Sequence, residues 1–89
     1  MRYHLTVKGH VQGVGYRYFV IGKAKQFHLT GWVRNCSNGN VKCEAQGDEP
    51  TVQEFIRHLQ TGHLWARVRQ VQQEPMAEIQ DEKNFEIRY

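Results

Sequence analysis

The sequence predicts an α/β (α+β) fold in which two helices cover one face of a mostly antiparallel sheet, in the order β-α-β-β-α-β. Two segments have the apolar spacing of amphipathic helices, and extended segments precede, separate and follow them. An Asn-Gly pair between two of the extended segments indicates a hairpin. The chain of 89 residues is long enough for one core but too short for a second, so residues 1–89 are expected to form a single domain.

The first strand is predicted over residues 2–8, where Tyr3, Leu5 and Val7 alternate with polar side chains. Three glycines then interrupt the alternation, and a helix is expected from about residue 17 to residue 28. The apolar stripe of this helix consists of Val20, Ile21, Ala24 and Phe27.

The hairpin that follows residues 31–35 has two possible registers. A two-residue turn would place Val33 and Val41 on opposite faces, whereas a three-residue loop with Gly39 at a bulge brings them to the same face. We therefore expect the second register. Its pairs are Asn35 with Val41 and Val33 with Cys43.

The two cysteines lie on opposite faces of the hairpin in this register, so two free thiols are expected. A disulfide between Cys36 and Cys43 is the alternative, and titration of the thiols in the unfolded protein distinguishes the two.

The second half of the chain supplies the remaining elements. Acidic residues and Pro50 favour a helix start at about residue 48, and Gly62 favours its end. A strand is expected over residues 66–74, with a bulge, followed by a loop to about residue 84 and a terminal strand over residues 85–89. The apolar face of the helix consists of Val52, Phe55, Ile56 and Leu59. This order is that of a ferredoxin-like sandwich, which hosts enzymes, metal carriers and RNA binders alike.

The formal net charge of +3 is mild and favours small anionic ligands. There is no long basic run, so no nucleic-acid partner is expected, and no long apolar run, so no membrane association is expected. Without a visible targeting segment, a cytoplasmic location follows by default. No extra apolar face is apparent, so we expect a monomer.

The chemistry is expected in residues 9–17, between the first strand and the first helix. Glycines let backbone N–H groups converge on an anion, and a helix N-terminus adds partial positive charge. Arg17 offers a planar pair of donors for two phosphate oxygens. Neither the nucleotide P-loop nor the dinucleotide-binding pattern fits this spacing.

The segment Gly9-His10-Val11-Gln12-Gly13-Val14-Gly15-Tyr16-Arg17 resembles the first motif of the acylphosphatase family, G-x-V-Q-G-V-x-F-R. Residues 31–41 resemble the second motif, G-x-V-x-N-x-x-x-G-x-V, and residues 66–68 and 85–89 are also similar to the family. The resemblance therefore spans essentially the whole chain. Tyr16 replaces the usual Phe, and Asn38 stands where an acidic residue is common; neither change touches the residues on which catalysis would depend.

The resemblance implies a ferredoxin-like enzyme that hydrolyses small acyl phosphates to carboxylate and inorganic phosphate, with no metal or organic cofactor. It implies that Arg17 binds the phosphate and Asn35 orients the attacking water. A shallow loop site of this kind is expected to discriminate acyl groups poorly. The phosphate-binding residues implied are Val11, Gln12, Gly13, Val14, Gly15, Tyr16 and Arg17.

Other functions are disfavoured by spacing. A cysteine phosphatase needs an Arg six residues after its nucleophile, and neither cysteine has one. The five histidines lack metal-ligand spacing. An RNA-binding module shares the topology, but residues 41–45 carry no aromatic ring for base stacking, although Trp32 could offer one exposed ring. The simpler interpretation is that the Trp32 ring covers the open face of the sheet. A non-catalytic phosphate-binding domain is a second alternative, although a chain taken as complete at both ends favours a free-standing enzyme.

Overall fold

A computed structural model describes all of residues 1–89. Both helices and all the strands expected from the sequence are present. In chain order the elements are β1 (Arg2–His10), α1 (Tyr16–Gln26), β2 (Thr30–Asn35), β3 (Val41–Gln46), α2 (Glu49–Thr61), β4 (Arg67–Met76) and β5 (Phe85–Arg88).

The sheet has five strands in the order β4-β1-β3-β2-β5. Only the pair β2–β5 is parallel, and the other neighbours are antiparallel. The predicted α+β, ferredoxin-like arrangement is confirmed. The strands expected over residues 66–74 and 85–89 correspond to β4 and β5, which lie at opposite edges, so the sheet has one strand more than the four of the β-α-β-β-α-β order.

The core lies between the two helices and one face of the sheet. The alternation of β1 places Tyr3, Leu5 and Val7 on this face, and Leu5 and Val33 both pair with Cys43. All four apolar residues predicted for α2 are buried. In α1 only part of the predicted stripe is fully buried, namely Val20 and Ala24, while Ile21 and Phe27 pack against the core and stay partly exposed.

The hairpin between β2 and β3 has the predicted register, with Asn35 opposite Val41. Cys36 and Asn40 close the loop through a backbone hydrogen bond of 2.9 Å, and Gly39 has a φ of 92°. Cys36 is partly exposed and Cys43 is fully buried, and both thiols are free. Burial raises the pKa of Cys43, so this thiol remains protonated at neutral pH.

Strand β4 is longer than expected, because it continues through Pro75 to Met76. Proline lacks a backbone N–H, and it is accommodated here because β4 is an edge strand. The predicted bulge is present: Lys8 pairs with Gln70, but the next residue of β1 pairs with Val68.

The face of the sheet opposite the helices is partly covered by residues 77–84. Arg2 is fully buried there and binds Glu44 and Glu82. Trp32 is only 8% exposed, and the guanidinium carbons of Arg34 and Arg88 lie 5.8 and 5.0 Å from its ring centroid. The ring therefore covers the open face, as the simpler interpretation predicted, and offers little surface for stacking on a nucleic-acid base.

Candidate active site

A cleft of about 120 Å³ lies where β1 ends, α1 begins and β2 ends. It brings together the two sequence segments that were singled out above, although they are separated by the whole of α1. No carboxylate lines it. The lining residues are Val11, Gln12, Gly13, Gly15, Tyr16, Arg17, Tyr18 and Asn35.

Residues 11–15 connect β1 to α1 and are called here the glycine loop. Gly13 and Gly15 both have a φ of 77°, a left-handed conformation that side-chain-bearing residues rarely adopt. The backbone N–H groups of residues 12–18 donate no hydrogen bond to any protein group. These donors, together with the acid-free first turn of α1, form a site suited to an oxyanion.

Arg17 lies in the first turn of α1 and is half-buried. Its guanidinium forms no ion pair with a carboxylate. Instead, its central carbon lies 5.0 Å from the centroid of the Tyr89 ring. A cation stacked on an aromatic face is attracted to it and still keeps its in-plane N–H donors available for an anion.

Asn35 is the last residue of β2. Its Oδ1 atom is buried and has no hydrogen-bond partner in the protein. A buried amide oxygen without a partner is unfavourable unless the site supplies a donor, and a water molecule is the smallest group that could do so. The position of Asn35 in the same cleft as Arg17 allows that water to lie beside a bound anion.

Gln12 connects the two halves of the cleft. Its side-chain amide donates to the carbonyl oxygens of Cys36 at 2.7 Å and Asn40 at 2.9 Å, which lie at the two ends of the hairpin loop. The glycine loop is thereby held against the hairpin that carries Asn35. Gln12 was predicted as a phosphate-binding residue; the contact that the structure shows for its side chain is this bridge.

Tyr16 replaces the phenylalanine common in the family motif, and its hydroxyl donates to the carbonyl oxygen of Leu59 at 2.7 Å. The ring is buried, and burial raises the pKa of the phenol, which therefore stays neutral. The additional hydroxyl thus has a partner, and it links the start of α1 to the end of α2.

Six of the seven residues expected to bind phosphate line the cleft, as does Asn35. Val14 does not line it, because its side chain packs against the core. Tyr18 lines the cleft and was not identified from the sequence; an aromatic residue directly after the motif arginine was the available signal. The structure contains no group of three or more His, Cys, Asp or Glu side chains placed to hold a metal ion. None of its helices is long and apolar enough to cross a membrane.

The fold and the cleft together define a small α+β protein with a preformed site for a compact oxyanion. A family model described as Acylphosphatase matches residues 3–87. The acylphosphatase of Geobacillus kaustophilus is 44% identical over 88 residues, which are 99% of this chain and 94% of that protein. That of Geobacillus thermodenitrificans is 46% identical over the same shares of the two chains. The chain belongs to the acylphosphatase family and is a hydrolase that acts on acyl phosphates.

Solved structures agree with this assignment. The crystal structure of acylphosphatase from Bacillus subtilis matches with a TM-score of 0.93 at 34% identity, covering 99% of this chain and 98% of that one. The crystal structure of full-length HypF matches with a TM-score of 0.84 at 26% identity, covering 99% of this chain but 12% of HypF. The same unit thus occurs both as nearly the whole of a chain and as a small part of a much larger one.

Proposed function

We propose that the cleft hydrolyses the carboxyl–phosphate bond of small acyl phosphates, with Arg17 binding the phosphoryl group and Asn35 orienting the attacking water. The observation that carries this proposal is the meeting of three features in one cleft. They are a row of unpaired backbone N–H groups, a cation with no carboxylate partner and a buried amide oxygen with no donor.

In the binding step, the N–H groups of the glycine loop and the guanidinium of Arg17 hold the non-bridging phosphoryl oxygens. These donors are fixed by the backbone, so little reorganisation is needed as charge develops in the transition state. Seven residues supply contacts in this proposal: Val11, Gln12, Gly13, Val14, Gly15, Tyr16 and Arg17, with Val14 contributing through its backbone only.

In the chemical step, the oxygen of the water held by Asn35 forms a bond to phosphorus, opposite the acyl oxygen. The bond between phosphorus and the acyl oxygen breaks, and its electron pair leaves with the carboxylate. The water proton passes to a phosphoryl oxygen, so the products are the carboxylate and inorganic phosphate.

The leaving group explains why so few side chains suffice. The conjugate acid of a carboxylate has a pKa of about 4, so it departs without a general acid. Phosphoryl transfer through a loose transition state depends mainly on positioning and charge stabilisation. The donors of the cleft supply both, and no histidine or carboxylate base is required.

The direct test is hydrolysis of benzoyl phosphate with a chelator present, comparing the natural chain with Arg17→Gln. Saturable turnover is expected in the natural chain. In the variant, turnover is expected to be lower by a factor on the order of 10³, by analogy with other transition-state arginines. Arg57→Gln is the matched control, because Arg57 lies on the exposed side of α2. A folded natural chain that binds phosphate without turnover would favour a non-catalytic phosphate-binding domain.

We further propose that residues 1–89 act as one domain, as a monomer in the cytoplasm, without a nucleic-acid partner. One continuous core of 18 buried residues draws on both helices and on strands across the sheet, which supports a single folding unit. Analytical ultracentrifugation tests the monomer, and a second species at micromolar concentration would contradict it.

A further inference from the structure

Two tyrosine rings flank Arg17 at the cleft. Tyr18 follows Arg17 in α1, lines the cleft and is 66% exposed. Tyr89 is 91% exposed, and its ring lies against the Arg17 guanidinium at 5.0 Å. Neither ring belongs to the core, so both are available to contact a ligand at the surface.

The residues that line the cleft indicate which part of a substrate reaches these rings. The proposed function assigns the phosphoryl group and the attacking water to the glycine loop, Arg17 and Asn35, and these residues, with the buried Tyr16, make up the lining except for Tyr18. The acyl group is the remaining part of the substrate, and Tyr18 is the lining residue left to contact it. Tyr18 is exposed, the ring of Tyr89 lies against Arg17, and no carboxylate lines the cleft.

More exposed apolar surface lies in the segment that joins α2 to β4. Leu64 and Trp65 are exposed in the segment before β4. The first residue of β4, Arg67, pairs with His10, which directly precedes the glycine loop. His63 anchors this segment by accepting hydrogen bonds from two backbone N–H groups and by packing against the rings at the start of α1. Four of the seven exposed large apolar side chains therefore lie at the end of the molecule that carries the cleft.

We propose that the preferred substrates are acyl phosphates with an aromatic or otherwise apolar acyl group, which packs on the rings of Tyr18 and Tyr89. This inference rests on the proposed function of the cleft. It also goes further than the sequence-based expectation, because a shallow loop alone would discriminate acyl groups poorly. Aromatic rings are well suited to this contact, since they offer a large apolar surface with few rotatable bonds.

The test compares kcat/KM for benzoyl phosphate with kcat/KM for acetyl phosphate. Tyr18→Ala is expected to lower the ratio of the two values about tenfold, because the benzoyl ring loses an aromatic contact that the acetyl group cannot make. Tyr18→Phe should restore the ratio, and Tyr89→Ala should lower it as well. Ile79→Ala is the control, because Ile79 is exposed but lies in the segment over the far part of the sheet. An unchanged ratio, or an equal loss for both substrates, would overturn the proposal.

A second measurement separates this inference from the proposed function. Phenylphosphonate and methylphosphonate cannot be hydrolysed, and their competition with inorganic phosphate is followed by NMR. If the natural chain hydrolyses neither acyl phosphate but binds phenylphosphonate more tightly, in a manner that requires Tyr18, the proposed function fails and the aromatic contact stands. Equal affinities for the two phosphonates would overturn the aromatic contact, whether or not the chain is active.

Discussion

The side chain of Gln12 has a structural role apart from the backbone N–H that Gln12 offers to the phosphate in the proposed mechanism. Its two hydrogen bonds join the glycine loop to the ends of the hairpin loop, so the positions of the loop amides and of Asn35 depend on one another. In the proposed mechanism the phosphoryl group and the water have to be aligned, and small displacements reduce rates strongly. Gln12 is therefore expected to act as a positioning residue.

Gln12→Ala should lower kcat by about 10-fold to 100-fold, because the loop and the hairpin lose their register. The free energy of unfolding should fall by only about 1 kcal/mol, since both carbonyl oxygens keep backbone partners. Steady-state kinetics and urea unfolding measure the two effects. Gln53→Ala removes a comparable amide from the surface of α2 and should change neither. If the kcat of Gln12→Ala equals that of the natural chain, the two Gln12 hydrogen bonds have no role in alignment.

Asn35 is expected to affect turnover more than binding. Asn35→Ala should reduce kcat about 10²-fold, as removal of one preorganised polar group does in other sites. Inhibition by inorganic phosphate should change little, because the proposed mechanism assigns phosphate binding to the glycine loop and Arg17. If the variant keeps full turnover, Asn35 does not orient the water; if phosphate affinity falls in parallel with kcat, its role is in binding.

In the proposed mechanism the glycine loop binds the anion through its backbone and not through its side chains. A Cβ atom added at Gly13 would meet no neighbour within 4 Å, although the φ of 77° is unfavourable for it. The requirement for glycine is therefore conformational and not steric. A left-handed residue costs most side chains about 1–2 kcal/mol, and asparagine tolerates it better.

Gly13→Ala should remain folded but bind inorganic phosphate at least about fivefold more weakly, as the loop relaxes away from its left-handed conformation. Gly13→Asn should retain more of the affinity, because it adopts the same backbone conformation more easily. Phosphorus NMR titration of each variant measures the dissociation constant. Equal affinities in all three chains would mean that the loop amides do not hold the phosphate.

At the level of elements, local patterns determined most of what the sequence could predict. The alternation in β1, the apolar spacing in α2 and the parity of the hairpin each follow from neighbouring residues, and all three are confirmed. The extension of β4 through Pro75 was missed, because its edge position depends on strand order and not on local composition. The place of Tyr89 beside Arg17 likewise follows from the pairing of β5 with β2.

On the open face of the sheet, Arg2 connects parts of the chain that are far apart in sequence. Its guanidinium binds Glu44 on β3 and Glu82 in the segment before β5, at 2.9 and 2.7 Å. Burial alone raises the pKa of Glu44, but hydrogen bonds from Arg2 and His4 and their charges outweigh it and lower that pKa below its usual value. The sequence placed Arg2 on the first strand without indicating this network, because its partners are 42 and 80 residues away.

Arg2→Met should lower the free energy of unfolding by about 3 kcal/mol at pH 7, because two largely buried carboxylates lose their partner. A carboxylate with a lowered pKa stabilises the folded state above its unfolded pKa of about 4.3 and loses this effect as pH falls through the folded value. The difference between the natural chain and the variant should therefore shrink on acidification, which urea unfolding at neutral pH and at about pH 3.5 measures. Arg57→Met breaks an exposed pair on α2 and should have little effect at either pH. If Arg2→Met lowers the free energy of unfolding by the same amount at both pH values, the Arg2 side chain stabilises the fold by packing rather than by charge.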